Sequence, residues 1–180
     1  ILRSAQTCNL SEVVIRPEDT LESLRNKVKI ATIIGTVQST LTDIKYLRSV
    51  WKKNMEEERL LGVSLTGIMD HYLLSKATGD AATWLKDMKN HAIAINKRYA
   101  GYLNINPSTS ITCVKPSGTV SQLVSCSSGI HPAYSEYYIR TVRADVKDPL
   151  AQFMKDMGFP CEPDVTKPHN TLVFSFPQKA

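Results

Sequence analysis

The residues best suited to chemistry form one short stretch in the second half of the chain. It contains Pro116, Ser117, Gly118, Thr119, Val120 and Ser121. The β-branched residues before it favour an extended chain, and Pro116 keeps Lys115 out of the helical region, so a strand should end here. A helix should begin directly after the proline, and the first backbone N–H groups of a helix have no partner within it. Those N–H groups, the helix dipole and the neighbouring hydroxyls would form a cradle suited to a phosphate or diphosphate.

The same stretch also has a simpler interpretation. Pro, Ser, Gly and Thr often stand in strand-to-helix turns only because they cap the helix. The stretch is not a Walker loop, since no Gly-Lys-Ser/Thr follows at the required spacing, and it is not a dinucleotide fingerprint, since Gly118 is the one glycine of the turn. The local pattern therefore leaves both anion binding and helix capping open.

Cysteine thiols are the second group of residues that could do chemistry. The chain has four, Cys8, Cys113, Cys126 and Cys161, with no Cys-x-x-Cys pair and no histidine spacing typical of zinc. This usage fits free thiols and a cytoplasmic setting. A cysteine beside a strand, as Cys8 is, can be a small buried hydrophobic residue or a redox thiol.

Composition narrows the classes of protein that the chain can represent. Its 180 residues suit one domain or a large piece of one, and 42% of them are hydrophobic, which is enough for a core. The net charge of +5 is scattered, so the sequence predicts no nucleic-acid-binding tail. No apolar run is long enough to span a membrane, and no signal peptide is visible. Because the chain starts with Ile in the middle of an apparent element, we expect a fragment of a longer protein.

Hydrophobic periodicity predicts the elements that position these groups. Strands are predicted to end near residue 15 and to cover 60–67, 111–114, 137–143 and 170–177. Helices are predicted over about 20–47, 81–103 and 120–124 and from Asp148–Pro149 to Gly158, while the charged segment 45–59 is predicted to run into a loop. The buried face of the first helix should include Leu41 and Ile44, and Gly35 within it permits close packing or marks a break. The inward residues of the last helix should be Leu150, Phe153, Met154 and Met157, and those on one face of the last strand Leu172, Phe174 and Phe176. Long crossovers between short strands favour an α/β fold with mostly parallel strands, as an open sheet or a barrel.

Several segments, taken in order along the chain, carry a resemblance to a known family. They are Cys8-Asn9-Leu10-Ser11-Glu12, Lys115-Pro116-Ser117-Gly118-Thr119, Gly129-Ile130-His131-Pro132, residues 137–143, Asp148-Pro149-Leu150 and Phe176-Pro177-Gln178-Lys179-Ala180. Together they resemble the ribonucleotide reductases, and most of all the adenosylcobalamin-dependent ribonucleoside-triphosphate reductases. One such motif would be weak, but several in the same order are specific.

The resemblance implies a fold and an extent. Members of this family have a ten-stranded α/β barrel of mostly parallel strands with long crossover helices. On that basis, residues 1–180 would be a single partial domain, the second part of the barrel. The finger loop with the radical-bearing cysteine and the first half of the barrel would lie upstream. A partial barrel of this kind would leave open sheet edges, through which copies could self-associate.

The resemblance also implies roles for particular residues. Cys8 corresponds to one half of the dithiol that reduces the substrate, and residues 116–121 correspond to the loop that holds the substrate phosphates. Cys113, Cys126 and Cys161 match no redox position of the family, so the sequence offers Cys8 no visible partner. His131 points to the cobalamin-dependent branch, although it could equally be a packing residue of its loop.

The implied function is reduction of ribonucleoside di- or triphosphates to 2′-deoxyribonucleotides by thiyl-radical chemistry. Adenosylcobalamin would be the cofactor, not expected to bind fully to this fragment, and a thioredoxin-like protein would be the reductant of the full-length enzyme. Two alternatives stay open: a reductase of the diiron or glycyl-radical class, and a phosphate-binding α/β module with no redox role.

Overall fold

The computed structural model describes residues 2–76 and 78–180. Its contacts divide the chain into two compact units, of which the first ends at Pro132 and the second is Ala133–Ala180. One partial domain was expected from the sequence. Because the contacts divide the chain, we describe the two units separately. None of the helices in the described ranges is long and apolar enough to cross a bilayer.

The first unit is built on a short parallel sheet. Strand β1 (Asn9–Val14) pairs in parallel with β2 (Leu61–Thr66) along the full length of both strands. The segment predicted as the next strand makes a single parallel bridge, from Thr112 to Val63, and then leaves the sheet. The predicted α/β class is confirmed for this unit, because helical crossovers connect these parallel segments.

Helices account for most of the remaining first unit. They are α1 (Leu21–Gln38), α2 (Ser49–Glu58), a 3₁₀ turn (Ile68–Asp70), α3 (Gly79–Tyr102) and α4 (Gly118–Leu123). The long helix predicted over 20–47 ends at Gln38, and the segment predicted as a charged loop contains α2. Beyond that end, Leu41 and Ile44, expected on the buried face, are exposed.

Helix α1 packs unusually close to the sheet. Thr20 caps it, accepting a hydrogen bond from the Ser23 N–H, while the Ser23 hydroxyl accepts one from the Thr20 N–H. Gly35 lies inside the helix, and a β-carbon there would lie 2.6 Å from Cδ2 of Leu61 on β2. The sequence left open whether this glycine marks a helix break or a close approach, and the structure shows the close approach.

The core of the first unit lies between one face of the sheet and helices α1 and α3. It contains Val13, Ile15, Leu24, Val28, Ala31, Leu61, Val63, Leu74, Ala81, Met88, Ala92 and Ile111. Asn96 of α3 adds a buried polar link next to this core. Its amide donates to the hydroxyls of Thr36 (3.0 Å) and Ser108 (2.9 Å), and its oxygen accepts from the Ser108 N–H (2.9 Å). Asn96 therefore joins α1, α3 and the segment after α3.

The second unit is an antiparallel sheet with one helix. Strands β3 (Tyr137–Asp145), β4 (Cys161–Pro163) and β5 (Thr171–Lys179) lie in the order β3–β5–β4, and α5 (Pro149–Asp156) connects the first two. Both pairings are antiparallel, so the expectation of mostly parallel strands is wrong for this unit. The sequence missed β4 because it has only three residues and ends in proline.

The sequence located the ends of α5 but not its buried face. Asp148 caps the helix by accepting the Leu150 N–H, and Gly158 follows it with a φ of +79°. Of the four residues expected to face inward, Met154 packs against the core of this unit, whereas Leu150, Phe153 and Met157 are more than half exposed. The buried residue of the helix is Ala151. The apolar contacts of this unit come instead from the predicted face of β5, which carries Leu172, Phe174 and Phe176.

We predict that replacing Asn96 with Ala lowers the free energy of unfolding by about 2–4 kcal/mol. The substitution removes three hydrogen bonds and leaves buried partners unpaired. Urea unfolding monitored by circular dichroism measures the change. The matched control is Asn90→Ala on the exposed face of the same helix, which should change stability by less than about 0.5 kcal/mol. Equal losses in the two variants would contradict the role given to Asn96.

Candidate functional site

Cys8 lies directly before β1, and its sulfur lies beside Gly62, the second residue of the neighbouring strand β2. A β-carbon at Gly62 would lie 3.1 Å from the sulfur of Cys8 and 2.9 Å from the sulfur of Cys113. Since both sulfurs are within about 3 Å of one point, they lie within about 6 Å of each other. Both cysteines are free thiols. The structure thus gives Cys8 a neighbouring thiol, which the sequence analysis had not found.

The alternation of strand residues defines the face on which the thiols lie. Leu10 pairs with Gly62 in the parallel register, and its side chain also reaches the space over this glycine. Because residues two apart point to the same side, Glu12 shares the face of Leu10, and so shares it with the two thiols. The opposite face, with Val13 and Val63, packs into the core. We refer to the first side as the thiol face.

The loop predicted to bind phosphate meets the sheet on the thiol face. The Ser117 hydroxyl donates to Oε2 of Glu12 at 2.8 Å, and only 2% of Ser117 is exposed. The Ser121 hydroxyl is fully buried and donates to the Gly118 carbonyl at 2.8 Å. Both hydroxyls are therefore used within the protein in this structure, and their role as donors to an anion stays a prediction. Thr119 is the one hydroxyl of the three that is exposed.

The backbone N–H groups of this loop remain available. Helix α4 begins at Gly118, and Ser117, at its N-cap position, makes no side-chain capping hydrogen bond. The structure gives no acceptor to the N–H groups of Gly118, Thr119 or Val120 among the residues it describes. A β-carbon at Gly118 would meet no atom within 4 Å, so the space over the loop is open. These features match an anion cradle made of amides rather than hydroxyls.

The electrostatics of the loop depend on one pair of charges. The Lys115 ammonium lies 3.8 Å from Oε1 of Glu12, and the Glu12 side chain is only 7% exposed. The Lys115 side chain is 22% exposed, so its charge remains partly accessible to a ligand. The pair reduces the net charge that an approaching anion meets and fixes the loop above β1.

The segment after α4 is tied to the carboxyl end of β2. The Thr66 hydroxyl accepts the Gly129 N–H at 2.9 Å and donates to the Ser127 carbonyl at 3.0 Å. The Ser127 N–H donates to the Asp70 carboxylate at 2.7 Å. His131, by contrast, is exposed and has no side-chain hydrogen bond to the described residues. The structure thus fixes this loop through its backbone and assigns no contact to the imidazole.

Burial controls the ionisation of the thiols. It raises the pKa of the Cys8 thiol, and the neighbouring Cys113 raises it further. Partial burial also raises the pKa of Cys113, although Lys115 opposes this. Both thiols are therefore protonated at neutral pH.

The other two cysteines belong to other segments of the chain. Cys126 stands 3.8 Å from the Thr66 hydroxyl, and Cys161 begins β4 of the second unit. In residues 2–76 and 78–180 the structure contains no group of three or more His, Cys, Asp or Glu side chains that could hold a metal ion.

Comparison with known proteins gives this geometry a family context. No family model matches the chain. The adenosylcobalamin-dependent ribonucleoside-triphosphate reductases of Lactobacillus gasseri and Lactobacillus acidophilus are 32% and 30% identical, over 99% of this chain and 27% of each relative. A crystal structure of a B12-dependent class II ribonucleotide reductase matches with a TM-score of 0.79 and 26% identity, over 99% of this chain and 28% of that one.

The resemblance predicted from the sequence is confirmed. Its match extends across the whole chain, including both units, and a more distant relative from Euglena gracilis, 26% identical, carries the same enzyme name. The chain spans about a quarter of the length of these reductases.

We predict that Cys8 is alkylated by iodoacetamide with a pH midpoint above that of the urea-unfolded chain. Alkylation requires the thiolate, and burial together with the neighbouring Cys113 raises the pKa of Cys8 in the folded protein. Peptide mass spectrometry at a series of pH values measures the rate at Cys8 alone, and the unfolded chain supplies the reference. A folded midpoint equal to or below the unfolded one would contradict the burial of this thiol.

Proposed function

We propose that the full-length protein containing this chain is an adenosylcobalamin-dependent ribonucleotide reductase. It would reduce ribonucleoside di- or triphosphates to 2′-deoxyribonucleotides for DNA synthesis. The observation that carries the proposal is that Cys8, Glu12 and the loop of residues 116–121 meet on one face of the parallel sheet. The names of the relatives and the matching reductase structure support it.

In the proposed reaction Cys8 supplies one half of a dithiol. The bond between C2′ and its hydroxyl breaks and the oxygen leaves as water. Two thiols give up two protons and two electrons, which end on C2′ and in the water, and the two sulfurs join in a disulfide. One ribonucleotide and two thiols are thus converted into one deoxyribonucleotide, one disulfide and one water. A second redox thiol would come from the part of the protein outside this chain, and a thioredoxin-like protein would reduce the disulfide by exchange.

The loop of residues 116–121 would hold the substrate phosphates. Its support is physical: the amides of Gly118, Thr119 and Val120 have no protein acceptor among the described residues, and the space over Gly118 is open. Lys115 would add positive charge beside them. Cys8 precedes Glu12 by four residues, or roughly 13 Å of extended strand. The phosphates and the sugar of one nucleotide would therefore lie along the same face.

The cofactor would supply the radical when bound. Two clefts along the described residues have volumes of about 540 and 370 Å³ and are open to solvent, and the exposed His131 has no side-chain hydrogen bond to the described residues. These residues therefore do not fit a corrin cofactor by themselves, and we derive no step of the reaction through it. The part that this chain plays is to hold the nucleotide and to supply a protonated thiol.

The fold of the full-length protein belongs to the same proposal. We propose that residues 1–180 form the second part of a ten-stranded α/β barrel, with β1 and β2 as two of its parallel strands. The finger loop with the radical-bearing cysteine would lie upstream. The TM-score of 0.79 to a class II reductase supports this assignment. A cytoplasmic enzyme agrees with the free thiols. Open strand edges would favour self-association of the isolated chain.

We predict that Cys8→Ser in the full-length enzyme reduces dithiol-dependent turnover at least a thousandfold and changes nucleotide affinity less than about twofold. A serine hydroxyl cannot form the disulfide that accepts the electrons, while the loop that would bind the phosphates is unchanged. Product formation with dithiothreitol and equilibrium dialysis measure the two quantities. Cys161→Ser in the second unit is the matched control and should keep turnover. Full turnover of the Cys8 variant would remove Cys8 from the proposed mechanism.

We predict that Gly118→Asp weakens nucleotide binding at least tenfold. The new carboxylate would stand in the open space over the loop, next to the phosphates, and would repel them. Binding is measured by equilibrium dialysis at low ionic strength. Gly101→Asp, an equivalent change at an exposed glycine of α3, is the control and should leave binding unchanged. Unaltered affinity of the Gly118 variant would argue against the cradle.

A further inference from the structure

Glu12 is a buried carboxylate that takes no part in the proposed reaction. It lies in the middle of β1 on the thiol face, and only 7% of its side chain is exposed. Its Oε2 accepts the Ser117 hydroxyl, whereas its Oε1 has no hydrogen-bond partner among the described residues. The nearest cation, on Lys115, is 3.8 Å away. A buried carboxylate that is only half satisfied costs free energy, so its presence needs a reason.

The conformation of Ser117 supplies that reason. Three other N-cap residues of this chain, Thr20, Thr78 and Asp148, are extended and accept a backbone N–H of their helix. Ser117 instead has φ −116° and ψ 51° and caps nothing. Its hydroxyl, which would normally accept an N–H of the first turn, is turned toward Glu12 at 2.8 Å. The contact with Glu12 thus coincides with the one uncapped helix start among these four.

We propose that Glu12 is a positioning residue for the loop of residues 116–121. By accepting the Ser117 hydroxyl, Glu12 keeps that serine from capping α4 and leaves the amides of the loop free for the substrate phosphates. The inference rests on the proposed function and adds to it a residue that touches neither the phosphates nor the redox thiol. Without an acceptor at position 12, Ser117 would relax to the extended conformation and occupy the amides itself.

The charge of Glu12 and its hydrogen bond with Ser117 affect the anion affinity of the loop in opposite directions. The carboxylate repels an anion on the loop and also holds Lys115, so removing its charge by itself strengthens anion binding. Removing the acceptor weakens binding, because the cap formed by Ser117 must then be broken. N-cap contributions correspond to about a 2- to 30-fold change in an equilibrium constant. A test must therefore compare variants that have lost the same charge.

Glu12→Gln and Glu12→Ala in the full-length enzyme provide that comparison. Both variants lose the charge, but only glutamine keeps an oxygen that can accept the Ser117 hydroxyl. We expect Glu12→Gln to bind the ribonucleotide CTP about fivefold more tightly than Glu12→Ala in equilibrium dialysis without the cofactor. The Michaelis constant should change by the same factor with kcat nearly constant. In a Ser117→Ala background the difference should vanish, since no hydroxyl is left to cap the helix.

Ser117→Ala in the otherwise unchanged enzyme gives a second test that does not depend on the folding of Glu12→Ala. We expect any loss of CTP affinity to stay below tenfold, because the Ser117 hydroxyl is directed at Glu12 and not at the ligand. A tenfold or greater loss would mean that this hydroxyl contacts the phosphates, and it would overturn the inference.

Equal affinities of Glu12→Gln and Glu12→Ala, or a difference that persists in the Ser117→Ala background, would also overturn the role of Glu12. These outcomes are distinct from failure of the proposed function. If wild-type enzyme does not bind CTP, or if Gly118→Asp binds it as well as wild type does, the phosphate loop itself is refuted. If wild-type binding and the Gly118 effect hold, only the role of Glu12 is at stake.

Discussion

The parallel pairing of β1 with β2 is the constraint on which the rest of the site depends. Its register sets Leu10 opposite Gly62, and from this follows the side of the sheet on which the candidate residues Cys8 and Glu12 lie. A shift by one residue would turn Glu12 into the core and Val13 out of it, so burial of the opposite face fixes the register strongly. The register of the β1–β2 pairing therefore determines both which residues enter the hydrophobic core and which lie at the candidate site.

Gly62 leaves space on the thiol face for the side chains of neighbouring segments. The space of its missing side chain is shared by three side chains, those of Cys8, Leu10 and Cys113. A β-carbon there would bring two sulfurs and a leucine methyl group into contact distance or closer. Glycine inside a strand costs stability, since it packs nothing and loses more entropy on folding. That cost has a structural reason here, because only glycine lets two thiols from opposite sides lie over the same strand.

The sequence predicted the features that depend on neighbouring residues, but it did not predict the contacts between residues that are distant in the chain. The caps and ends of α5 and the apolar face of β5 follow from neighbouring residues, and all were predicted correctly. The proximity of Cys113 to Cys8 was not predictable, because it joins segments more than a hundred residues apart through a third strand. The contact of Ser117 with Glu12 was not predictable for the same reason, because its local pattern indicates a cap or a ligand donor and Glu12 is distant in the sequence.

The protonation of Cys8 bears on the kind of redox step that such a thiol can perform. Thiols that attack disulfides are usually thiolates, with a pKa lowered by cations or a helix terminus. Burial does the opposite at Cys8, and its nearest titratable neighbour is another thiol, not a cation. A thiol kept in its protonated form still carries the hydrogen that a reduction of the substrate consumes. It is also a poor nucleophile toward solvent oxidants, whose attack would destroy the dithiol. On the proposed function, the burial that makes Cys8 slow in exchange thus preserves it as a hydrogen donor, and disulfide exchange is left to thiols elsewhere in the full-length protein.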